Sequence, residues 1–110
     1  MKSPVHIGDL DKRVAIEREV RVSDGGGGAT VTWAHVAEVW AAIWPRSASE
    51  SFTQDRVAGT ATHDVWMRYR KGVVPGMRLR LDARWFDIRG VIDADERRRW
   101  LKCIVEEQDL

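Results

Sequence analysis

Apolar and polar positions alternate along most of this chain. Across residues 12–22, Val14, Ile16, Val20 and Val22 take even positions, and Arg13, Glu17, Glu19 and Arg21 take odd ones. A period of two with β-branched residues predicts a half-buried strand. Arg18 is the one break on its apolar side and marks a strand end or an interface. Residues 31–44 are also strand-rich. Val31, Trp33, Val39, Ala41 and Ile43 form one face and Trp40, Ala42 and Trp44 the other, with a break expected near His35, Val36 and Ala37. Pro45 ends the run because it has no N–H for a ladder. Residues 62–71 alternate again, with His63, Val65, Met67 and Tyr69 opposite Asp64, Trp66, Arg68 and Arg70. Shorter alternating runs follow at 77–81 and 84–92. In the last segment, 97–107, the Cys103-Ile104-Val105 run favours a strand over a helix.

The punctuation between these runs is turn-like. Asp24 is followed by Gly25, Gly26, Gly27 and Gly28, a hairpin loop. It does not suit a phosphate cradle, because strand-like residues follow it instead of a helix opening on Lys and Ser or Thr. Pro75-Gly76 marks a turn, Asp82-Ala83 a two-residue hairpin, and Asp93, Ala94, Asp95 and Glu96 an acidic turn. Residues 46–62 differ. They are polar, with Phe52 and Val57 as isolated larger apolar residues, and a short helix from Ser49 to Ala58 would carry too thin an apolar stripe to seat on a core. This stretch is expected to be an exposed excursion. The whole pattern predicts an all-β fold, a small barrel or sandwich of about six antiparallel strands with one long, partly helical excursion between strands two and three. With no internal repeat and no dividing linker, residues 1–110 are expected to form a single domain.

Composition narrows the function. The chain has 110 residues, 44% hydrophobic and 32% charged, enough for one small core and too little for a deep cofactor pocket. A formal charge of +1 argues against a nucleic-acid coat or a polybasic membrane binder. One Cys excludes an internal disulfide, and three scattered His give no zinc pattern. No cofactor and no metal are expected. The opening residues lack the apolar run of a signal peptide, and no stretch is long and apolar enough for a membrane helix. No nucleophile motif accompanies His6, His35 or His63. Asp93, Asp95 and Glu96, followed at once by Arg97, Arg98 and Arg99, suit a charge-paired turn better than a calcium site. The same Arg run, next to Trp100 and with Arg68, Arg70, Arg78, Arg80, Arg84 and Arg89 on nearby strands, leaves three readings open. It is a single-stranded nucleic-acid surface using Trp66 and Tyr69 as platforms, a solvated strand face, or a subunit interface. Of the six Trp, Trp33 and either Trp85 or its neighbour Phe86 are core candidates. Trp40, Trp44 and Trp66 form a second buried layer or subunit-contact anchors. The candidate interface set is Trp40, Trp44, Trp66, Arg97, Arg98, Arg99 and Trp100.

The order of the pieces carries one more signal. Leu10 with Arg13, Val14 and Ile16 opens the chain; Asp24-Gly25-Gly26 and Thr32-Trp33 follow, then Val39-Trp40-Ala41 and Ser49-Glu50. His63, Arg68-Tyr69-Arg70, Met77-Arg78, Phe86-Asp87-Ile88, Gly90-Val91-Ile92-Asp93 and Asp95-Glu96-Arg97-Arg98 complete it. In order and spacing over most of the chain, this resembles the phage head–tail joining family, also called head closure or stopper proteins. The resemblance implies a small, non-enzymatic β-barrel that forms a ring of six or twelve copies in the particle; a barrel of 110 residues can fold without the ring, so a monomer is expected when it is isolated. That ring would sit below the portal and adaptor ring and above the tail terminator or tail tube. It would close the filled head, touch the packaged double-stranded DNA sterically and dock the tail. The expected place is the neck of a virion or phage-like particle assembled in the host cytoplasm, from a phage, a prophage or a gene transfer agent, with no membrane partner. The resemblance makes residues 46–62 the gate, with Ser49, Glu50, Phe52, Gln54, Asp55 and Arg56 as channel candidates. The chain departs from the family pattern in lacking Gly after Ser47 and in having four consecutive Gly at 25–28. The alternative is a small barrel of the OB or SH3 type that binds single-stranded nucleic acid.

Overall fold

The structure, a computed structural model, describes residues 6–46 and 61–108. A single 3-10 turn (Ile7–Asp9) leads into six strands: β1 (Lys12–Ser23), β2 (Ala29–Pro45), β3 (His63–Arg68), β4 (Arg78–Leu81), β5 (Arg84–Asp93) and β6 (Trp100–Gln108). Every pairing is antiparallel, and the sheet closes on itself in the order β1-β2-β3-β6-β5-β4. Of the two expected architectures, the barrel is the one formed. The alternation explains it. Val14 and Ile16, Val65 and Met67, Leu79, Phe86 and Ile88, and Leu101, Cys103 and Val105 all turn inward and are almost fully buried together. Val73 and Met77, from the β3–β4 connection, join this core. That connection is tied to β5 by two backbone bonds, Gly76 N–H to the Ile88 carbonyl (3.1 Å) and Ile88 N–H to the Met77 carbonyl (3.0 Å). Phe86, and not Trp85, is the core aromatic.

Two bulges bend the sheet. Ile16 pairs with Ala37 but Glu17 pairs with His35, so Val36 is the extra residue, at the break the sequence pattern anticipates. In β5, Ile88 pairs with Val105 and Gly90 with Ile104, which leaves Arg89 extra.

The outer half of the β1–β2 hairpin corrects a sequence expectation. β4 pairs with β1 only at residues 15–17, and β3 pairs with β2 only at residues 41–45. Beyond Glu17 and His35 the two strands continue alone, as an arm that stretches the molecule to 50 × 29 × 27 Å. Val22 is 53% exposed and Val31 43%, although both lie on faces expected to be half-buried. The alternation is real, but no second layer reaches it, and the extra residue Val36 shifts the phase of β2, so that Val31 and Trp33, opposite Arg21 and Glu19, lie on the other face from Val39, Ala41 and Ile43. Trp33 is likewise not a core residue. It lies half-buried at the base of the arm, with the Arg78 guanidinium 4.2 Å from its ring centre. At the arm's tip the Asp24 carboxylate accepts the N–H groups of Gly26 (2.8 Å) and Gly28 (3.1 Å). Gly25 and Gly27 have φ of 81° and 85°, and a Cβ on Gly28 would lie 2.7 Å from the Asp24 carboxylate, so three of these glycines meet a steric demand.

Residues 47–60 of the excursion expected at 46–62, including its expected helix, lie outside the described residues. Its two ends are held together: Arg46 N–H donates to the Thr62 carbonyl (2.9 Å) and Thr62 N–H to the Val105 carbonyl (2.9 Å). Glu107 N–H donates to Thr62 Oγ1 (2.7 Å).

Candidate docking surface

The outer face of β2, β3 and β6 carries a second, smaller apolar cluster. Trp66 points outward from β3 yet is only 3% exposed, because Leu10 and Ala42 cover it and Trp44, Ala94 and Trp100 pack around them. The Trp44 and Trp66 rings lie 6.5 Å apart at 51°. Leu10 is set there by the turn before β1, where Leu10 N–H donates to the Ile7 carbonyl (3.2 Å) and His6 N–H to Asp9 Oδ2 (2.9 Å). Trp66 is therefore a second-layer residue with no surface to offer a partner. Beside it, the nearly buried Asp64 carboxylate binds Arg46 Nη1 at 2.6 Å and has Lys102 Nζ at 3.6 Å.

Next to this cluster the surface opens into a groove of about 530 Å³ lined by Ile7, Leu10, Val39, Trp40, Arg68, Tyr69 and Arg70. Strand length causes it. β3 accompanies β2 only as far as the Met67–Ala41 pair, and the chain then turns off, with Tyr69 N–H bonded to the Arg99 carbonyl (3.0 Å). The flank of β2 at Val39 and Trp40 is left uncovered, and the lead-in turn walls the gap. Ile7 is 62% and Trp40 52% exposed. A smaller hollow of about 340 Å³ shares Arg68 and Tyr69 and runs on to Arg98, Arg99 and Trp100.

Charge is unevenly placed around the barrel. Arg84 forks onto Glu107, Arg89 meets Glu106 and Asp87, Arg78 meets Glu17, and Arg99 meets Asp95. Among the described residues, Arg18, Lys71, Arg80 and Arg97 have no carboxylate at ion-pair distance, and neither do Arg13, Arg68, Arg70 and Arg98, which stand at or beside the groove and the hollow. Arg13 lies over Trp40 (5.4 Å) and Arg68 over Trp100 (5.7 Å), so one face of each ring is already taken. The groove is thus apolar at its base and positive at its rim, a shape and charge suited to an extended segment bearing apolar and acidic side chains.

The other candidate chemistry resolves into structure. Asp93 accepts the Arg98 N–H (3.2 Å), and Asp95 accepts the Arg97 N–H (3.1 Å) and Arg99 Nε (2.7 Å). Partial burial pushes the Asp95 carboxyl up, but the bonds from Arg99 and Arg97 outweigh it and hold its pKa below the ordinary value. These carboxylates hold a turn in which Glu96 and Arg98 have positive φ (57° and 56°). His63 places Nδ1 2.8 Å from Thr62 Oγ1 and its ring edge-on to Phe86. Burial lowers its pKa. Burial pushes the Cys103 thiol up to about 12, so it is a protonated core group and not a nucleophile.

Of the interface candidates, the structure brings Trp40, Arg98, Arg99 and Trp100 to this side, while Trp44 is half-buried against Trp66. Arg97 is exposed at the acidic turn. The gate candidates Ser49, Glu50, Phe52, Gln54, Asp55 and Arg56 lie outside the described residues. Sequence reasoning missed Ile7, Leu10, Val39, Arg13 and Tyr69 as parts of one surface. The three-residue spacing of Ile7 and Leu10 was the available signal, and it needed the 3-10 turn to become a face.

Residues 5–108 match the family described as phage head completion protein. Among solved structures, a chain from "Virion of native gene transfer agent (GTA) particle" is similar at 28% identity with a TM-score of 0.67, covering 89% of this chain and 94% of that one. Protein SF1141 from Shigella flexneri 2a, known from a solution structure, is similar at 25% identity with a TM-score of 0.74, covering 94% of this chain and 96% of that one. No curated protein matches.

Proposed function

Since the chain belongs to the phage head completion family, we propose that it acts as a head-closure subunit, forming a ring beneath the portal and its adaptor that closes the DNA channel and receives the tail. A structural role in head–tail joining, as a virion component in contact with other particle proteins, follows from the family itself. The likeness to a chain of a gene transfer agent virion supports a particle of that kind. The observation that carries the finer reading is the groove beside Trp40. An apolar trough with unpaired Arg at its rim, on a barrel whose other cations are mostly neutralised at home, is a place for another protein's segment. The near-neutral total charge suits a DNA conduit, since strong attraction would retain DNA that must later leave.

The nucleic-acid alternative asks for open aromatic platforms. Of its two expected platforms, Trp66 is buried and Tyr69 is half-buried.

The decisive experiment removes the gene from a particle-producing strain and restores it as wild type or with residues 48–58 deleted. Without the chain, heads are expected to lose DNA and lack tails. The deletion variant is expected to fold, because Arg46 and Thr62 are already joined, and to enter particles that leak DNA. Complete particles in the absence of the chain would refute the reading.

A further inference from the structure

The β1–β2 arm has two open edges. On one side of β1, β4 covers residues 15–17 only, and among the described residues nothing pairs with 18–23. On the far side of β2, β3 begins at Ala41, and among the described residues nothing pairs with 29–40. The backbone phase of these edges follows from the turn. The Asp24 N–H bonds the Gly28 carbonyl. Alternation of an antiparallel ladder then directs the N–H and C=O of Val22, Val20 and Arg18 at β2, and those of Arg21 and Glu19 outward. On β2, Thr30 and Thr32 face β1, and Val31 and Trp33 face outward. The same phase carries back to Glu17 and Ala15, which it directs at β4, opposite Arg78 and Arg80 in the register.

We propose that these two edges are a subunit interface, with β1 of one arm pairing edge-to-edge with β2 of the next copy of this chain. The proposal rests on the ring reading above and names the contact that builds it. The two edges belong to one ribbon, so they share its twist, and arms related by a rotation place β2 of one copy antiparallel to β1 of its neighbour. Such a contact is head-to-tail and repeats until the ring closes. A foreign strand would cover one edge and leave the other open. The β2 edge has little protection by charge or Pro: residues 29–40 contain Glu38 as their one charged side chain, with no Lys and no Pro, and the bulge at Val36 lies at the base of the arm. A ribbon of two strands is marginal in water on its own. Continuation into a sheet of arms would satisfy the outward backbone groups.

Hydrogen exchange of the wild-type chain, free and within purified particles, tests the edges. The outward amides of Arg21, Glu19, Val31 and Trp33 are expected to exchange quickly in the free chain and about 100-fold more slowly in the particle. Equal rates in both states would overturn the proposal. Protection already present in the free chain would also overturn it, because the chain would then be covering its own edge. The occupant is tested by co-producing Arg21→Cys and Val31→Cys chains and linking them with a thiol reagent spanning roughly 10 Å, about three residues of strand. Buried Cys103 does not compete. Mixed links are expected in several-fold excess over links between like chains. Links between Val31→Cys chains alone would show two-fold pairing instead, and links to a different particle protein would show a foreign partner; either defeats the second-copy assignment. Absence of the chain from particles would defeat the functional reading itself. Its presence without arm links would defeat only this interface.

Discussion

β1 and β2 each run through two different environments, and the contrast separates what a strand is from what a barrel is. In their inner halves Val14, Ile16 and Ala41 are fully buried. In their outer halves Val22 and Val31 sit in the same ladder and stay exposed. The difference lies in the partners, because β3 and β4 are short, at 6 and 4 residues against 12 and 17 for β1 and β2. Period-two patterning gives a strand two faces, and burial requires a second layer to arrive. The border between the regions is firmly built. Val36 is bulged there, and Arg78 binds Glu17 (2.6 Å) with its guanidinium 4.2 Å from Trp33 and 5.0 Å from Trp85. The arm therefore leaves a rigid base.

If stability resides in the barrel, the largest loss should come from its central aromatic. Phe86→Ala is expected to cost about 3–5 kcal/mol in urea unfolding, through lost transfer energy and the cavity left among Val14, Leu79 and Val105. A loss near that of an arm substitution would break the comparison. The outer layer should come next. Asp64→Ala leaves the nearly buried Arg46 and Lys102 without their shared carboxylate, and about 3 kcal/mol is expected for breaking such a pair. The same measurement checks it, and a loss under 1 kcal/mol would place this face with the arm in its contribution to folding.

Much of this was legible in the sequence. The strands, the hairpin at Asp82-Ala83, the break near Val36 and the inward set of β3 and β6 follow from alternation and turn chemistry, which are local. The family was legible too, because the order of short motifs survives where each alone is weak. The arm was not. Nothing in Val20, Val22 or Val31 records that their neighbours stop short, since strand length in one segment decides burial in another. Trp33 and Trp66 likewise depend on segments distant in the chain. Trp33 is a core candidate by pattern but lies on the arm's base, while the choice for Trp66 between a second buried layer and a contact anchor is decided by Leu10, 56 positions earlier in the chain. The groove needed a turn, two strand ends and a connection to meet, which no local pattern states.

A smaller effect is expected from acid. Burial lowers the His63 pKa from 6.5, with Arg84 acting in the same direction and Glu107 and Asp64 opposing. The unfolded chain then takes up the proton first, so this contribution is present above pH 6.5 and is lost as the pH falls through the folded-state value. Glu107 adds a second phase in the same direction. The hydrogen bond from Arg84 holds its pKa below 4.5, so its contribution is present above pH 4.5 and lost below it. Thermal midpoints should therefore fall in two steps from pH 7.5 to pH 3.5, and His63→Gln should remove the upper step. Both groups belong to the barrel, so shortening the arm should leave the two steps in place; a midpoint that rises on mild acidification would contradict the assignment.

The smallest expected effect makes the sharpest comparison. Val14 and Val22 lie on one strand and one face, and Val→Thr changes each by the same atoms. At Val14 the new hydroxyl enters the closed core, and a loss of about 1–3 kcal/mol is expected. At Val22 it meets water beside Thr30, and the change is expected to stay within about 0.5 kcal/mol. Urea titration of the two variants side by side measures the difference with the chemistry held constant. Equal losses would mean that the arm is covered in the free chain and that the two regions are one. A silent Val22→Thr in the free chain, combined with weaker incorporation into particles, would locate the purpose of the arm's apolar residues outside the isolated molecule: they are the part of the hydrophobic pattern that the fold leaves for assembly to bury.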